Sequence, residues 1–257
     1  MRVVAFGDDH SAGAETCWRW ITNHTWDGWS LEVVTAAPHP DMRPVEPGEA
    51  ELHPWAPETP RDPGPVGFTS VEHLRAEVDP RVALISKPWD LVAIGPKGRG
   101  SSGLLSRLHT GSTADWLLRD PVSPLLIARH QETVGKVLVA ADGSTHVRRA
   151  VETLAGMAWL SGVSVRIAAV DDGKVDPEPA LETAVEVLGG TGAEIDTVVL
   201  SGDPAHALVT EVERTGPDLV VMGARGEDGL RQLVLGSTAS AVTGATDRSV
   251  LVAHADV

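Results

Sequence analysis

The chain has 257 residues, room for one large domain or two small ones, and its 42% hydrophobic and 22% charged residues fit a soluble globular protein rather than a disordered or fibrous one. A formal charge of -15 argues against a general electrostatic grip on nucleic acid or an anionic membrane. A single cysteine, Cys17, excludes an intrachain disulfide framework; no run approaches the ~20 apolar residues of a membrane span, and the opening apolar run breaks at Asp8-Asp9, too early for a signal peptide, so a cytoplasmic protein is expected.

In chain order, Val3-Val4-Ala5-Phe6-Gly7 is a short apolar run that stops at Asp8, and Trp18, Trp20, Trp26 and Trp29 cluster around the first helix and its following turn. Tryptophans at this density, with twelve basic against seventeen acidic residues through position 130, read as core and interface rather than as a base-stacking platform. Nine of the eighteen prolines fall between Ala37 and Gly67. Proline fixes φ and lacks a donor, so the second helix gives way to an extended surface excursion, read as a tolerated insertion rather than a dedicated recognition loop. Asp79-Pro80 opens a shortened helix, Asp90-Leu91-Val92-Ala93-Ile94-Gly95 is the next apolar run, and Gly111-Ser112-Thr113-Ala114 precedes a last run, Leu125 to Ala128.

The remainder repeats this plan. Val137 to Asp142, Asp218 to Gly223, Gly236-Ser237-Thr238-Ala239 and Val250 to Ala253 match the first set at offsets of 134, 128, 125 and 125. Strands are predicted near 136 to 141, 163 to 170, 195 to 200, 218 to 223 and 249 to 253. Val147, Val151, Leu154 and Ala158 recur at helical spacing, and Asp203-Pro204 opens a further helix. The expectation is two tandem doubly wound parallel-sheet α/β domains, 1–130 and 134–257, joined near Gln131-Glu132-Thr133, with Asp142 and Gly223 flanking one crevice at the carboxyl ends of the strands.

The most informative stretch is Gly223-Ala224-Arg225-Gly226, nine residues, then Gly236-Ser237-Thr238. Glycine lets backbone approach a ligand, and a helix start offers unpaired N–H groups and a favourable dipole to phosphate. The pattern is neither a Walker loop nor a dinucleotide fingerprint. With VLVAADGS, Gly202-Asp203-Pro204 and DLVVMGARG in order around it, the sequence resembles the universal stress protein family, specifically its tandem two-domain bacterial members. The resemblance implies an ATP site in the second half. Asp142 would accept from a ribose hydroxyl or the adenine amino group, and Val170 would meet the adenine edge with its backbone. Met222 and Gly223 would line the adenosine, while Arg225, Gly226, Gly236, Ser237 and Thr238 would hold the phosphates, with Mg2+ as an accessory.

A second, degenerate site would comprise Asp8, Gly95, Gly98, Gly111, Ser112 and Thr113. There, twelve residues rather than nine separate Gly98 from Gly111, and Asp9-His10 replaces Gly143-Ser144. The resemblance also implies that the halves pack as an intrachain pseudo-dimer through the runs at 125 to 128 and 250 to 253; assembly into homodimers is compatible with it.

No Ser-His-Asp set, paired carboxylates or metal-ligating histidine pair is legible. Asp8-Asp9 is like the acidic pocket of phosphoryl-accepting receiver domains, but the second copy has no acid beside Asp142 and its third strand ends Leu200-Ser201. The function read here is an adenine-nucleotide-binding stress-response module in which ATP orders the 223 to 238 loop and changes a surface seen by an unknown protein partner, any hydrolysis being slow and incidental. The alternatives are a slow ATPase or adenylyl-transfer enzyme on the same crevice, and a ligand-free tandem scaffold.

Overall fold

The computed structural model describes residues 1–37, 50–96, 112–119, 122–225 and 235–255. The first half runs β1 (Arg2–Gly7), α1 (Ala12–Thr22), β2 (Trp29–Ala36), β3 (His53–Pro54), β4 (Val71–Ala76), α2 (Pro80–Ala83), β5 (Leu91–Ile94), α3 (Ser112–Arg119) and β6 (Leu125–Ile127). The second half runs β7 (Lys136–Ala141), α4 (Thr145–Ala155), β8 (Ser164–Asp171), α5 (Glu178–Leu188), β9 (Glu194–Ser201), α6 (Pro204–Thr215), β10 (Leu219–Gly223), α7 (Ser237–Ala245) and β11 (Ser249–Ala253).

These strands form one eleven-stranded sheet in the order β3-β4-β2-β1-β5-β6-β11-β10-β7-β8-β9. Setting the two-residue β3 aside, each half repeats the same doubly wound order, with its first strand paired to its second on one side and to its fourth on the other. Helices cover both faces, which is why the strands read as continuous apolar runs. Side chains nonetheless alternate between two cores: Val137, Val139 and Ala141 pack on one side of β7, Leu138 and Ala140 on the other. The helices start where their caps dictate. Ser11 and Ser144 accept from Ala14 and Val147 N–H at the starts of α1 and α4, and Asp203, followed by Pro204, accepts from His206 N–H at α6.

The halves meet as the resemblance implied: β6 and β11 pair antiparallel, with Leu126 opposite Leu251, so neither strand leaves an open edge. The tryptophans are core and interface, as expected. Trp20, Trp26 and Trp29 are buried, and Trp159 of the second half packs edge-on against Trp20 at 5.9 Å. Trp29 Nε1–H donates to the Gly156 carbonyl at 2.9 Å, and Val134 N–H donates to His24 Nε2 at 3.0 Å. Among the described residues no helix is long and apolar enough to cross a membrane.

Two expectations need correction. The helical period read through Ala158 stops early: α4 ends at Gly156, where a Cβ would fall 2.0 Å from the Arg2 guanidinium, and Ala158 sits exposed in a 3-10 turn while Met157 takes the buried place. The proline-rich excursion is extended, and among the described residues no helix stands between β2 and β4, yet it is not merely draped over the surface. It adds β3 to the sheet edge and accepts from Trp26 N–H through the Val66 carbonyl, and Phe68, directly after it, stacks on Trp26 at 5.4 Å.

Candidate functional site

In the second half the sheet reverses direction of winding between β7 and β10, and a crevice of about 780 Å³ opens at the carboxyl ends of these strands. Its walls are the ends of β7, β8 and β10, the starts of α6 and α7, and the turn that follows β8. Three strand ends converge there because parallel strands present their carboxyl ends on one side.

Asp142 lies one residue past β7. Its Oδ1 accepts the Ser144 N–H at 2.9 Å, and Gly143, at φ +78°, makes the turn. Ser144 Oγ caps α4 and donates to the Arg225 carbonyl at 3.2 Å, so one hydroxyl joins the helix after β7 to the segment after β10. The Asp142 carboxylate is open to solvent within the crevice and forms no ion pair among the described residues. Surrounding protein still desolvates it enough to push its carboxyl above the ordinary range, a rise partly offset by the Ser144 hydrogen bonds.

At Gly223 a Cβ would fall 2.8 Å from Val147 N and 2.9 Å from His146 Cβ. The glycine is therefore required to seat β10 against the start of α4, whatever the crevice holds. Gly236 N–H donates to the Ala224 carbonyl at 2.8 Å and fixes the start of α7 at the crevice wall. Unlike α4 and α6, α7 carries no side-chain cap, so its first-turn N–H groups retain the unmet donor capacity of a helix start.

The sequence-predicted residues Asp142, Val170, Met222, Gly223, Arg225, Gly236, Ser237 and Thr238 all line this one crevice; Gly226 lies outside the described residues. Sequence reasoning missed the turn after β8, where Asp172, Lys174 and Asp176 complete the opposite wall and Lys174 pairs with Asp172 at 2.7 Å. It also treated Asp203 only as a helix cap, though Asp203 lines the crevice with Leu208. The rule that strand ends share one side applies equally to β8 and β9 and was the available signal.

The first half has a recess of about 70 Å³ at the corresponding place, lined by Asp8, Gly95 and Thr113 among others. Ser112 starts α3, and Gly98 and Gly111 lie outside the described residues. A Cβ on Gly95 would fall 2.0 Å from the Gly13 carbonyl oxygen, the same packing need as at Gly223. The turn after β1 holds one residue more than its counterpart: Ser11 caps α1 as Ser144 caps α4, and His10, at φ +56°, takes the conformation of Gly143. The Asp8 side chain is only 1% exposed, because Arg61 from the proline-rich excursion lies on it. Arg61 Nε and Nη2 donate to the two Asp8 oxygens at 2.9 and 3.2 Å, and Nη1 donates to Glu15 Oε2 at 2.7 Å. Burial pushes the Asp8 carboxyl up, but the Arg61 hydrogen bonds and charge, with His10, outweigh it and hold the group below the ordinary carboxylate range.

Fold and crevice together define a tandem doubly wound α/β protein with an open crevice at the topological switch point of its second half. The model of the Universal stress protein family matches residues 174–254. The chain is 32% identical over 166 residues to a universal stress protein of Synechocystis, covering 63% of this chain and 57% of that one. It is 31% identical over 197 residues to a universal stress protein of Mycobacterium tuberculosis, covering 68% and 65%. The chain thus spans less than two thirds of these relatives' length. The crystal structure of a universal stress protein from Archaeoglobus fulgidus superposes with a TM-score of 0.64 over 98% of this chain and 96% of that one at 18% identity, a likeness of fold. Residues 174–254 thus carry a match to the Universal stress protein family, and the chain is similar to universal stress proteins in sequence and in fold.

Proposed function

We propose that the second-half crevice binds an adenine nucleotide, with ATP as the ligand, and that occupancy is read by a protein partner rather than converted into efficient catalysis. The observation that carries this reading is the pairing, across one crevice of about 780 Å³, of an open carboxylate on Asp142 with the uncapped start of α7. That volume lies within the roughly 300–1,000 Å³ of small-molecule sites. The two ends differ in chemistry as a nucleotide does: a carboxylate accepts from hydroxyl or amino groups, while free N–H groups and the helix dipole favour phosphate.

In this reading Asp142 engages the ribose or adenine, the Val170 backbone meets the base edge, and Met222 and Gly223 line the adenosine. Arg225, Gly226, Gly236, Ser237 and Thr238 hold the phosphates. Asp172, Asp176 and Asp203 make the surroundings acidic, so backbone donors carry the phosphate contacts, and Mg2+ arrives on the phosphates without a dedicated protein cage. Phosphate at the start of α7 fixes that helix relative to the segment after β10, and the surface so defined is what a partner reads. The setting is cytoplasmic.

Titration calorimetry of the full chain with ATP and magnesium tests this. One equivalent binds, and Asp142→Ala weakens binding about 10- to 100-fold, the effect of losing hydrogen bonds to a charged group. A chain that takes up no ATP, ADP or AMP at millimolar concentration overturns the proposal; steady turnover abolished by Gly226→Asp replaces the binding-only reading with a slow ATPase.

A further inference from the structure

The two halves place an aspartate at the same point, directly after the first strand, with its Oδ1 accepting the N–H two residues on. What faces the rest of each carboxylate differs. Asp142 opens onto the large crevice. Asp8 is covered by a guanidinium that holds both its oxygens, bridges to Glu15, and lies 5.3 Å from the Trp18 ring centroid and 5.9 Å from that of Phe6.

We propose that the first-half crevice is an intramolecularly occupied site, in which the Arg61 guanidinium is the resident ligand of Asp8, so that the chain carries nucleotide in its second half alone. The geometry is that of a built binding site. Two-point contact from a planar guanidinium to a carboxylate is the strong, directional form of this pair, and an arginine over aromatic faces adds a cation–π component. The placement is fixed on the backbone side as well: Arg61 N–H donates to His73 Nε2 on β4 at 2.9 Å, which anchors the excursion where its side chain reaches the carboxylate. The Arg61 side chain is 19% exposed, so the contact is sheltered from the solvent that weakens surface ion pairs. A ribose hydroxyl or adenine amino group approaching Asp8 would have to displace a charged donor that belongs to the chain and pays no entropy of association. The proline-rich excursion thereby gains a role, delivering the occupant.

The claim that nucleotide is confined to the second half rests on the nucleotide reading; the claim that Arg61 fills a ligand recess does not, and two measurements separate them. Calorimetry of the full-length Asp142→Asn protein with ATP should show no residual high-affinity equivalent. A remaining equivalent that disappears on adding Asp8→Asn overturns the proposal. For Arg61→Ala, millimolar methylguanidinium, which replaces the missing group, should raise the melting temperature by several degrees, with no such rise in the parent or in Arg61→Ala/Asp8→Asn. Equal responses in all three overturn it. Should Arg61→Ala fail to fold, the Asp142→Asn and Asp142→Asn/Asp8→Asn titrations still decide. Should the parent bind no nucleotide, the nucleotide reading falls, and methylguanidinium rescue alone decides the occupancy of the recess.

Discussion

Asp8 and Asp142 occupy equivalent turns and stand in opposite electrostatic states, so the same substitution has opposite consequences. Asp8 has its carboxyl held below the ordinary range by Arg61, against the burial that raises it. Its contribution to stability is therefore present above about pH 4 and is lost as pH falls through the lowered value. Asp142 is raised by desolvation, so its ionisation costs stability at neutral pH, and that cost disappears below about pH 4. At pH 7, Asp8→Asn is expected to lose about 1–3 kcal/mol, because Arg61 keeps its partly buried place with one carboxylate removed. Asp142→Asn is expected to match or exceed the parent, with any gap closing toward about pH 4. Urea denaturation of the three proteins at pH 7 and pH 4 checks both, and a stable Asp8→Asn chain would count against the Arg61 contact.

The element that matters most to the crevice is α7, whose start forms one of its walls and whose end is held by the other half. Arg129, just past β6, donates through Nη2 to the Thr243 carbonyl at 3.0 Å and through Nη1 to the Thr246 carbonyl, while its own N–H donates to Ser249 Oγ at 3.0 Å. A cation there complements the negative end of the helix dipole and satisfies carbonyls that the helix leaves open. Arg129→Met is expected to cost about 1–3 kcal/mol and to weaken ATP binding several-fold by loosening the start of the same helix. Hydrogen exchange should quicken in α7 more than in α4, and unchanged protection would dismiss the link. Lysine should rescue poorly, since it lacks the planar fork that reaches both carbonyls.

At the scale of the whole molecule, the joint between the halves is sensitive to acid. His24 Nε2 accepts the Val134 N–H while Nδ1 lies 2.6 Å from the Trp20 carbonyl, a pair of contacts that the neutral ring with its proton on Nδ1 satisfies and a protonated ring does not. Burial holds His24 neutral down to about 4, and it does the same for His254. Unfolding frees both to titrate near about 6.5, so stability is full above that pH and declines as pH falls toward 4. Equilibrium unfolding between pH 7 and 4.5 should show net proton uptake, to which the lowered His73 and His146 also contribute, and His24→Gln should reduce it by about one proton; a flat profile, or one unchanged by His24→Gln, would refute this.

The strands of the second half were legible to within a residue or two, because burial on both faces writes each one as an unbroken apolar run between turn signals. The duplication and the strand-end rule also brought Asp142, Gly223 and Gly236 to one crevice. Where α4 stops was not legible, since Gly156 ends it in step with Arg2 from the other half, and neither was the contact between Arg61 and Asp8. Sequence by itself determined two doubly wound halves and the place in each where a ligand could sit, because periodicity and turn chemistry act over a few neighbouring residues. Only the tertiary structure decided which place stays open. Asp8 and Asp142 look alike along the chain, and the guanidinium that closes one of them arrives from 53 residues away, on an excursion whose landing point is set by the sheet edge it joins.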